Sequence, residues 1–151
     1  MYTFKIIEYS EDETIKIKCF SNNIYCGHIL FEKIIYMDEY FLSEEEREEI
    51  GYEIMDYFFP DDNCIYIKFF EVDINFQNLG IGNLLMDKFF EYFNNQKEIN
   101  SIFINACPYL TSTINNKIPL NILVKFYKKF GFQELLNQET NILMAYKNKK
   151  R

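Results

Sequence analysis

The stretch QNLGIGNLLMDKFF, residues 77–90, has two glycines just before an amphipathic run and a glutamine three residues ahead of the first glycine. Because glycine has no Cβ, backbone N–H groups beside it can approach a ligand closely. The first turn of a helix adds unpaired N–H groups and a partial positive charge. The sequence therefore predicts a turn and helix start shaped to bind a phosphate group.

The size and composition of the chain predict one domain, residues 1–151. At 151 residues the chain is long enough for one filled core and too short for two ordinary domains. Hydrophobic residues make up 48% of it and aromatic residues 19%, with only 5 Gly and 3 Pro. This composition is typical of a compact fold and not of a disordered chain.

The charge balance favours some partners over others. The chain has 23 acidic and 16 basic residues, a net charge of −7, and four of the basic residues lie in the last five positions, KNKKR. An anionic body repels a nucleic-acid backbone, and this short tail is not enough to bind one firmly. We therefore expect no nucleic-acid partner, and a cationic or amine substrate suits the field better.

The cysteine and histidine content argues against a zinc site. The four cysteines show no C-x-x-C spacing and His28 is the only histidine, so the usual ligands are missing and no metal is expected. The N-terminal residues do not resemble a signal peptide, and no uninterrupted apolar run approaches about 18 residues. These features predict a cytoplasmic protein with no membrane partner.

The first half of the chain predicts an antiparallel meander followed by a helix. Three segments rich in β-branched and aromatic residues are separated by polar breaks: YTFKIIEY (2–9), TIKIKCF (14–20) and IYCGHILFEKIIY (24–36). One helix is predicted over 43–58, where Ser43 and Glu46 form a capping box. Its apolar stripe contains Ile50, Ile54 and Phe58.

The second half alternates strands and helices. CIYIKFFEVDI (64–74) is apolar on both faces, which predicts a central strand covered by helices. The helix at about 80–94 is expected to bury Leu85, Phe89 and Phe93. The remaining elements are a strand INSIFINA (99–106), a polar loop at 107–118, a helix that Pro119 opens and Gly131 ends, and two closing strands, FQELL and NILMAYK.

Two common phosphate-binding motifs do not fit the glycine turn. A P-loop needs a Lys-Ser/Thr pair at the end of the turn, where this chain has Asn83 and Leu84. A Rossmann fingerprint needs a third small residue where Leu85 stands and an acid at the end of the next strand, where Asn105 stands. Both motifs are therefore excluded.

A third motif fits the turn. QNLGIG (77–82) resembles the Q/R-x-x-G-x-G/A signature of the GNAT superfamily of N-acetyltransferases, in which the turn clasps the pyrophosphate of coenzyme A. It follows a strand that contains Val72 and precedes a helix, as in that family. FYKKFGF (126–132) resembles the family's F/L-Y-x-K-x-G-F segment, which spans the following helix and the strand after it. The two motifs also occur in the family's order.

The resemblance implies a mixed α/β (α+β) fold of the GNAT type: a mostly antiparallel central sheet with flanking helices. The strands before and after the pyrophosphate-binding helix are parallel in that fold and splay apart. The resemblance covers residues 64–147 well and 1–63 poorly, because most members have two helices after the first strand. Three smaller departures are Ile74 where proline is common, Asn78 where glycine is common, and Asn121 one position from the usual asparagine.

By resemblance, acetyl-coenzyme A is the cosubstrate and its pantetheine arm lies between the splayed strands. The residues implied in cofactor binding are Val72, Gln77, Asn78, Leu79, Gly80, Ile81, Gly82 and Asn121. Three lysines of the next helix, Lys125, Lys128 and Lys129, are interpreted as solubilising its exposed face rather than as phosphate ligands.

Three residues are implied in catalysis. The Phe70 amide would donate to the developing oxyanion, a contact worth roughly 3 kcal/mol. Tyr127 matches the tyrosine that hydrogen-bonds the departing thiolate, the alternative being core packing. An alkylamine of pKa about 10.4 is neutral only about once in 10³ molecules at pH 7, so a base is needed. Glu71 is the candidate base, the alternative being a strand-edge charge, and His28 is interpreted as a hydrogen-bonded sheet residue.

The sequence thus predicts an N-acetyltransferase that transfers an acetyl group from acetyl-coenzyme A to a primary amine of a small molecule or a protein, by direct attack on the thioester. The alternative is a catalytically inactive GNAT-like module that binds acyl-coenzyme A or another protein. A homodimer is compatible with the resemblance. The acceptor is expected to be selected by the loop 107–118 and the segment 37–63.

Overall fold

The fold is a seven-stranded sheet with helices on both faces. The computed structural model describes residues 1–9, 11, 13–34, 42–60, 63–108 and 118–148. The strands are β1 (Tyr2–Tyr9), β2 (Thr14–Ser21), β3 (Ile24–Ile34), β4 (Cys64–Val72), β5 (Ser101–Ala106), β6 (Gln133–Asn137) and β7 (Ile142–Lys147). The helices are α1 (Glu44–Ile50), α2 (Tyr52–Phe58), α3 (Ile81–Asn94) and α4 (Leu120–Lys129), with a short 3-10 helix at Ile74–Phe76.

The sheet is mostly antiparallel, with the strand order β1-β2-β3-β4-β5-β7-β6. β4 and β5 are its parallel pair, and they are in register only from Ile65 opposite Ile102 to Ile67 opposite Ile104. Beyond this point β4 runs on to Val72 without pairing to β5, so the two strands separate at their C-terminal ends. The predicted GNAT-type fold, with an antiparallel meander and a splayed parallel pair, is confirmed.

Two hydrophobic layers cover the sheet. α3 and α4 pack on one face, where the predicted stripe of Leu85, Phe89 and Phe93 is fully buried. α1 and α2 pack on the other face, against β5 and β7. As predicted, β4 is central and contributes to both layers, with Ile67 in the first and Cys64 in the second.

A β-bulge in β4 sets which side chains face which layer. Leu30 of β3 lies opposite Phe69, but the next residue, Phe31, lies opposite Ile67, so Lys68 is the extra residue. Phe70 therefore lies on the same face as Ile67, in the α3–α4 layer. Because side chains alternate along a strand, Glu71 lies on the opposite face.

The single helix predicted over 43–58 is wrong. Gly51, with φ 99° and ψ 138°, separates α1 from α2. This break resets the helical phase, so Ile50 and Phe58 are buried as predicted while Ile54 remains 45% exposed. Residues 42–60, the described part between the meander and β4, therefore contain two helices. The capping box of Ser43 and Glu46 is present.

The other ends of strands and helices lie close to those that the local sequence predicts. The predicted strand 64–74 ends at Val72, because the 3-10 helix takes over at Ile74, and the predicted strand 99–106 begins at Ser101. Pro119 is the N-cap of α4 rather than a first-turn residue. Gly131, at φ 99°, follows the helix, and the N–H groups of Gly131 and Phe132 bond to the carbonyls of Lys128 and Tyr127. This is a Schellman motif, as expected of a glycine at this position.

Within the described residues, no helix is long and apolar enough to cross a membrane. In the same ranges no three His, Cys, Asp or Glu side chains are grouped so as to hold a metal ion. The predicted loop at 107–118 lies outside the described residues at 109–117, as does the basic tail at 149–151.

Candidate active site

The glycine turn between β4 and α3 has backbone donors that no described residue pairs. Asn78 and Gly80 both have left-handed backbone angles, with φ 64° and 81°. The first bond into the helix runs from Leu84 N–H to Gly80 O at 3.2 Å, so Ile81 and Gly82 have no acceptor one turn earlier. Left-handed residues in such a turn make a concave backbone surface that accepts anions.

Gln77 ties this turn to the end of β4. Its side-chain Nε2 donates to the Val72 carbonyl oxygen at 3.2 Å. Asp73, directly after β4, caps the short 3-10 helix through its Oδ1, which accepts from the Asn75 N–H at 3.0 Å. These contacts fix how the chain leaves the strand and enters the turn.

Lys129 brings a cation to the same helix start. Its Nζ lies 2.6 Å from Asn83 Oδ1 in the first turn of α3, and it lies over the ring of Phe126. No acidic residue occupies that turn. A cation beside a helix N-terminus strengthens the local attraction for anions. Sequence reasoning interpreted Lys129 as solubilising, because its contact with α3 spans 46 residues and leaves no local pattern.

A cavity of about 120 Å³ lies between the C-terminal half of β4 and α4, beside this turn. Apolar side chains, Gly82 and one phenol surround it: Phe70, Val72, Gly82, Ile118, Ile122, Leu123, Phe126 and Tyr127. A Cβ on Gly82 would lie 3.4 Å from the Phe126 ring and 3.7 Å from Phe70. The glycine therefore keeps the space between the turn and the cavity open.

Tyr127 contributes a buried hydroxyl without a partner. The side chain is fully buried, and no described residue accepts or donates a hydrogen bond at its Oη. Burial raises the pKa of the phenol, so the group stays protonated at neutral pH. A buried hydroxyl without a partner is costly, and such exceptions require an explanation. Here the hydroxyl belongs to a residue that lines a cavity.

The main chain of β4 presents Phe70 and Val72 to the gap beside β5. A Cβ on Gly27 would overlap the Glu71 carbonyl oxygen, and Asp73 N–H donates to Cys26 O at 2.7 Å, so these groups of β4 face β3. Backbone groups alternate in direction along a strand. The N–H groups of Phe70 and Val72 therefore face the edge where β4 has separated from β5.

Glu71 belongs to a polar cluster on the opposite face of the sheet. Its Oε2 lies 3.5 Å from Tyr25 Oη and 3.7 Å from His28 Nδ1. Tyr25 Oη and His28 Nδ1 are also in direct hydrogen-bond contact. Sequence reasoning missed Tyr25, whose contact with Glu71 spans 46 residues and depends on strand register.

His28 in this cluster is neutral at pH 7. Burial, assisted by Lys16 and Lys18, lowers its pKa from 6.5 to about 4. Its ring stacks on Phe69 with centroids 5.4 Å apart. The contact with Glu71 is therefore not an ion pair, and the interpretation of His28 as a hydrogen-bonded sheet residue agrees with its partners.

The structure brings four of the predicted site residues together at one cavity, with residues 77–81 in the adjoining turn and two side chains apart from the cavity. Phe70, Val72, Gly82 and Tyr127 surround one cavity, and Glu71 lies on the same strand facing the other side. Asn121 is exposed on the first turn of α4 and does not line the cavity.

Comparison with models of protein families identifies the family of this chain. The model described as an acetyltransferase (GNAT) domain matches residues 37–134, well over half of the chain. The chain belongs to the GNAT acetyltransferase family. Transfer of an acetyl group from acetyl-coenzyme A is the class of activity that membership supports. None of the curated proteins is significantly similar to this GNAT chain in sequence.

Solved structures share the GNAT fold at low sequence identity. The Arabidopsis thaliana NAA60 complex with a bisubstrate analogue aligns with a TM-score of 0.64 and 11% identity, covering 97% of this chain and 98% of that one. The Escherichia coli ribosomal-protein-S18-alanine N-acetyltransferase aligns with a TM-score of 0.62 and 11% identity, covering 98% and 94%.

A third relative is longer than this chain. The Thermoplasma acidophilum PaiA N-acetyltransferase, in complex with coenzyme A, aligns with a TM-score of 0.56 and 13% identity. The alignment covers 89% of this chain but only 61% of that one. These likenesses establish the fold of the GNAT chain.

Proposed function

We propose that this chain is a cytoplasmic N-acetyltransferase that transfers the acetyl group of acetyl-coenzyme A to a primary amine of a small molecule or a protein. The amine attacks the thioester directly, and the chain supplies binding, orientation and proton transfer without a metal. Membership of the GNAT family supports acetyl transfer, and the arrangement of the cavity supports the finer assignment.

The observation that carries the proposal is the buried Tyr127 hydroxyl, which has no hydrogen-bond partner among the described residues. The Tyr127 side chain lines the same cavity as Gly82, at the helix start suited to a pyrophosphate. A thioester sulfur bound in this cavity would give the hydroxyl its missing partner. The residues present therefore fit acetyl-coenzyme A at both its phosphate end and its reacting end.

The donors of the chain divide into two roles. Main-chain N–H groups from Asn78 to Gly82, with Gln77 holding the turn in place, bind the pyrophosphate. Val72 holds the pantetheine arm, and Phe70 N–H donates to the thioester oxygen as negative charge develops on it. A preorganised donor of this kind contributes roughly 3 kcal/mol to catalysis.

Proton transfer is assigned to two side chains. Glu71 takes the proton of the acceptor ammonium, directly or through one water, so that the neutral amine can attack. Tyr127 hydrogen-bonds the departing thiolate. A phenol of pKa about 10 transfers its proton to a thiolate whose conjugate acid has a pKa of about 8.5 only uphill, so Tyr127 contributes a hydrogen bond more than a full proton transfer.

The test is thiol release from acetyl-coenzyme A with a panel of primary amines, including polyamines, amino-acid amides and lysine-containing peptides. The proposal predicts release that depends on the amine and exceeds hydrolysis, with the acetylated product detected by mass spectrometry. Tight binding of coenzyme A with no amine-dependent release would show an inactive binding module instead.

A further inference from the structure

A chain of side-chain hydrogen bonds joins three elements on the Glu71 face of the sheet. Asn141, in the turn between β6 and β7, donates from Nδ2 to Asn105 Oδ1 at 2.7 Å and to Gln138 Oε1 at 2.6 Å. Gln138 Nε2 then donates to Glu46 Oε2 at 2.7 Å. These hydrogen bonds thus link the end of β5 to the first turn of α1.

The Glu46 carboxylate fixes which group donates and which accepts in each of these hydrogen bonds. Burial pushes the pKa of Glu46 up, but hydrogen bonds from Ser43 and Gln138 outweigh burial and hold the pKa below its ordinary value. The ionised carboxylate can only accept, so Gln138 must present its NH₂ group to Glu46 and its oxygen to Asn141. Asn141 in turn must donate to Asn105.

The consequence for Asn105 is a defined amide orientation. Its oxygen is used by Asn141, so its NH₂ group is directed away from the hydrogen-bonded chain. Within the described ranges, the one side-chain hydrogen bond seen for Asn105 is the bond that its oxygen accepts from Asn141. Asn105 is only half-buried, so a ligand can reach it.

Asn105 lies where an acceptor amine must approach. It directly follows Ile104, the last residue of β5 in register with β4, and so it lies at the opening between the two strands. Its neighbours Ile104 and Ala106 are buried in the α3–α4 layer, which puts Asn105 on the opposite face, the face of Glu71. The acyl cavity is on the α4 side, so the nucleophile enters from this face.

We infer that Asn105 presents its side-chain NH₂ group to the acceptor and selects primary amines that carry a hydrogen-bond-accepting oxygen on the second carbon from the amino nitrogen. Such an oxygen occurs as the carbonyl of an N-terminal residue or as an ether or hydroxyl of a small amine. Amines without it leave the Asn105 donor unpaired on binding, which costs affinity. The inference rests on the proposed function and adds an acceptor class to it.

The experiment compares kcat/KM for 2-methoxyethylamine and n-butylamine, which differ only in an oxygen for a methylene. The wild type is expected to favour the ether, and Asn105→Asp is expected to lower the ether-to-alkyl ratio about tenfold. Aspartate keeps an oxygen for Asn141 but has no N–H to donate. Since the same two amines are compared in each protein, differences in their own pKa values cancel.

Two further variants control the experiment. Asn95→Asp makes the same substitution at an exposed position after the C-terminal end of α3, and it should leave the ratio unchanged. Gln138→Ala removes the link to Glu46 without touching the acceptor, and it should lower the ratio about threefold. If Asn105→Asp unfolds, Asn105→Ala takes its place, with the same expected fall in the ratio.

Glycine dimethylamide separates the two sources of oxygen, because its carbonyl accepts but its amide nitrogen carries no hydrogen. A fall in kcat/KM of Asn105→Asp that is confined to this amide identifies N-terminal residues as the acceptor class. A fall confined to the ether identifies small oxygenated amines. If the wild type is active and the ether-to-alkyl ratio of kcat/KM is the same in the wild type and in all variants, the inference alone is overturned. A wild type that releases no thiol with any amine would overturn the proposed function and the inference with it.

Discussion

At the scale of single residues, the site depends on polar groups that the fold buries at some cost. Tyr127 keeps a hydroxyl in an apolar cavity, and His28 keeps a neutral imidazole between a tyrosine and a carboxylate. Neither polar group is needed to fill the core, since phenylalanine and leucine would fill it without the free-energy cost of burying a polar group. Both therefore allow tests that separate function from packing.

Tyr127→Phe should lower kcat at least tenfold while changing the free energy of unfolding little. The variant removes only a hydroxyl that has no partner in the described part of the chain, so no hydrogen bond seen there is lost and the ring contacts with Phe126 and Phe132 remain. Steady-state thiol release and urea unfolding measure the two quantities. Tyr146→Phe, in the same aromatic layer but away from the cavity, is the control and should keep full activity.

His28 should make the fold less stable as the pH falls below neutral. Its pKa is lowered from 6.5 to about 4, so between these values the unfolded chain binds a proton that the folded chain does not. The stabilisation is therefore complete above pH 6.5 and is lost progressively toward pH 4. Urea unfolding at pH 5 to 7 measures the slope.

His28→Gln should flatten that slope. His28 is the only histidine of the chain, and carboxylates titrate mainly below this window, so the assignment is direct. An equally steep dependence in the glutamine variant would show that another group is responsible.

At the scale of elements, short segments with special backbone angles position the site. Gly51 separates α1 from α2, and the turn before α3 uses left-handed angles at Asn78 and Gly80. α4 then brings Lys129 to the start of α3. Two of these features allow direct tests.

Gly51→Ala should lower the free energy of unfolding by about 1–3 kcal/mol. At φ 99° and ψ 138° the backbone lies in a region that is essentially restricted to glycine, although a Cβ there would touch nothing. The loss is therefore due to backbone strain and not to a clash. Glu49→Ala, at an exposed position two residues earlier, is the control, and its free energy of unfolding should lie within about 0.5 kcal/mol of the wild-type value.

Lys129→Ala should weaken binding of coenzyme A severalfold, and added salt should reduce the difference. The lysine lies at the helix start that is proposed to bind the pyrophosphate. Salt weakens attraction between exposed charges, with a screening length of about 10 Å at 0.1 M. Lys125→Ala, on the exposed face of the same helix, supplies the comparison. Equal affinities of the two variants, measured by titration calorimetry, would restore the interpretation of Lys129 as a solubilising residue.

At the scale of the whole molecule, local signals predicted the elements and long-range contacts escaped prediction. Pro119 and Gly131 placed α4 within a residue because capping depends on neighbouring backbone. The break at Gly51 was missed because a glycine inside an apolar stripe is compatible with a continuous helix. The contacts of Glu46 with Gln138 and of Tyr25 with Glu71 span 92 and 46 residues, and only the assembled sheet defines them.

The central claim is that one cleft holds coenzyme A between the glycine turn and Tyr127. The most direct measurement is a crystal structure of the protein with coenzyme A bound. The account predicts that the diphosphate accepts hydrogen bonds from N–H groups between Asn78 and Gly82 and that the sulfur lies at hydrogen-bond distance from Tyr127 Oη. A diphosphate bound elsewhere, or a Tyr127 hydroxyl bonded to protein with the sulfur out of reach, would contradict it.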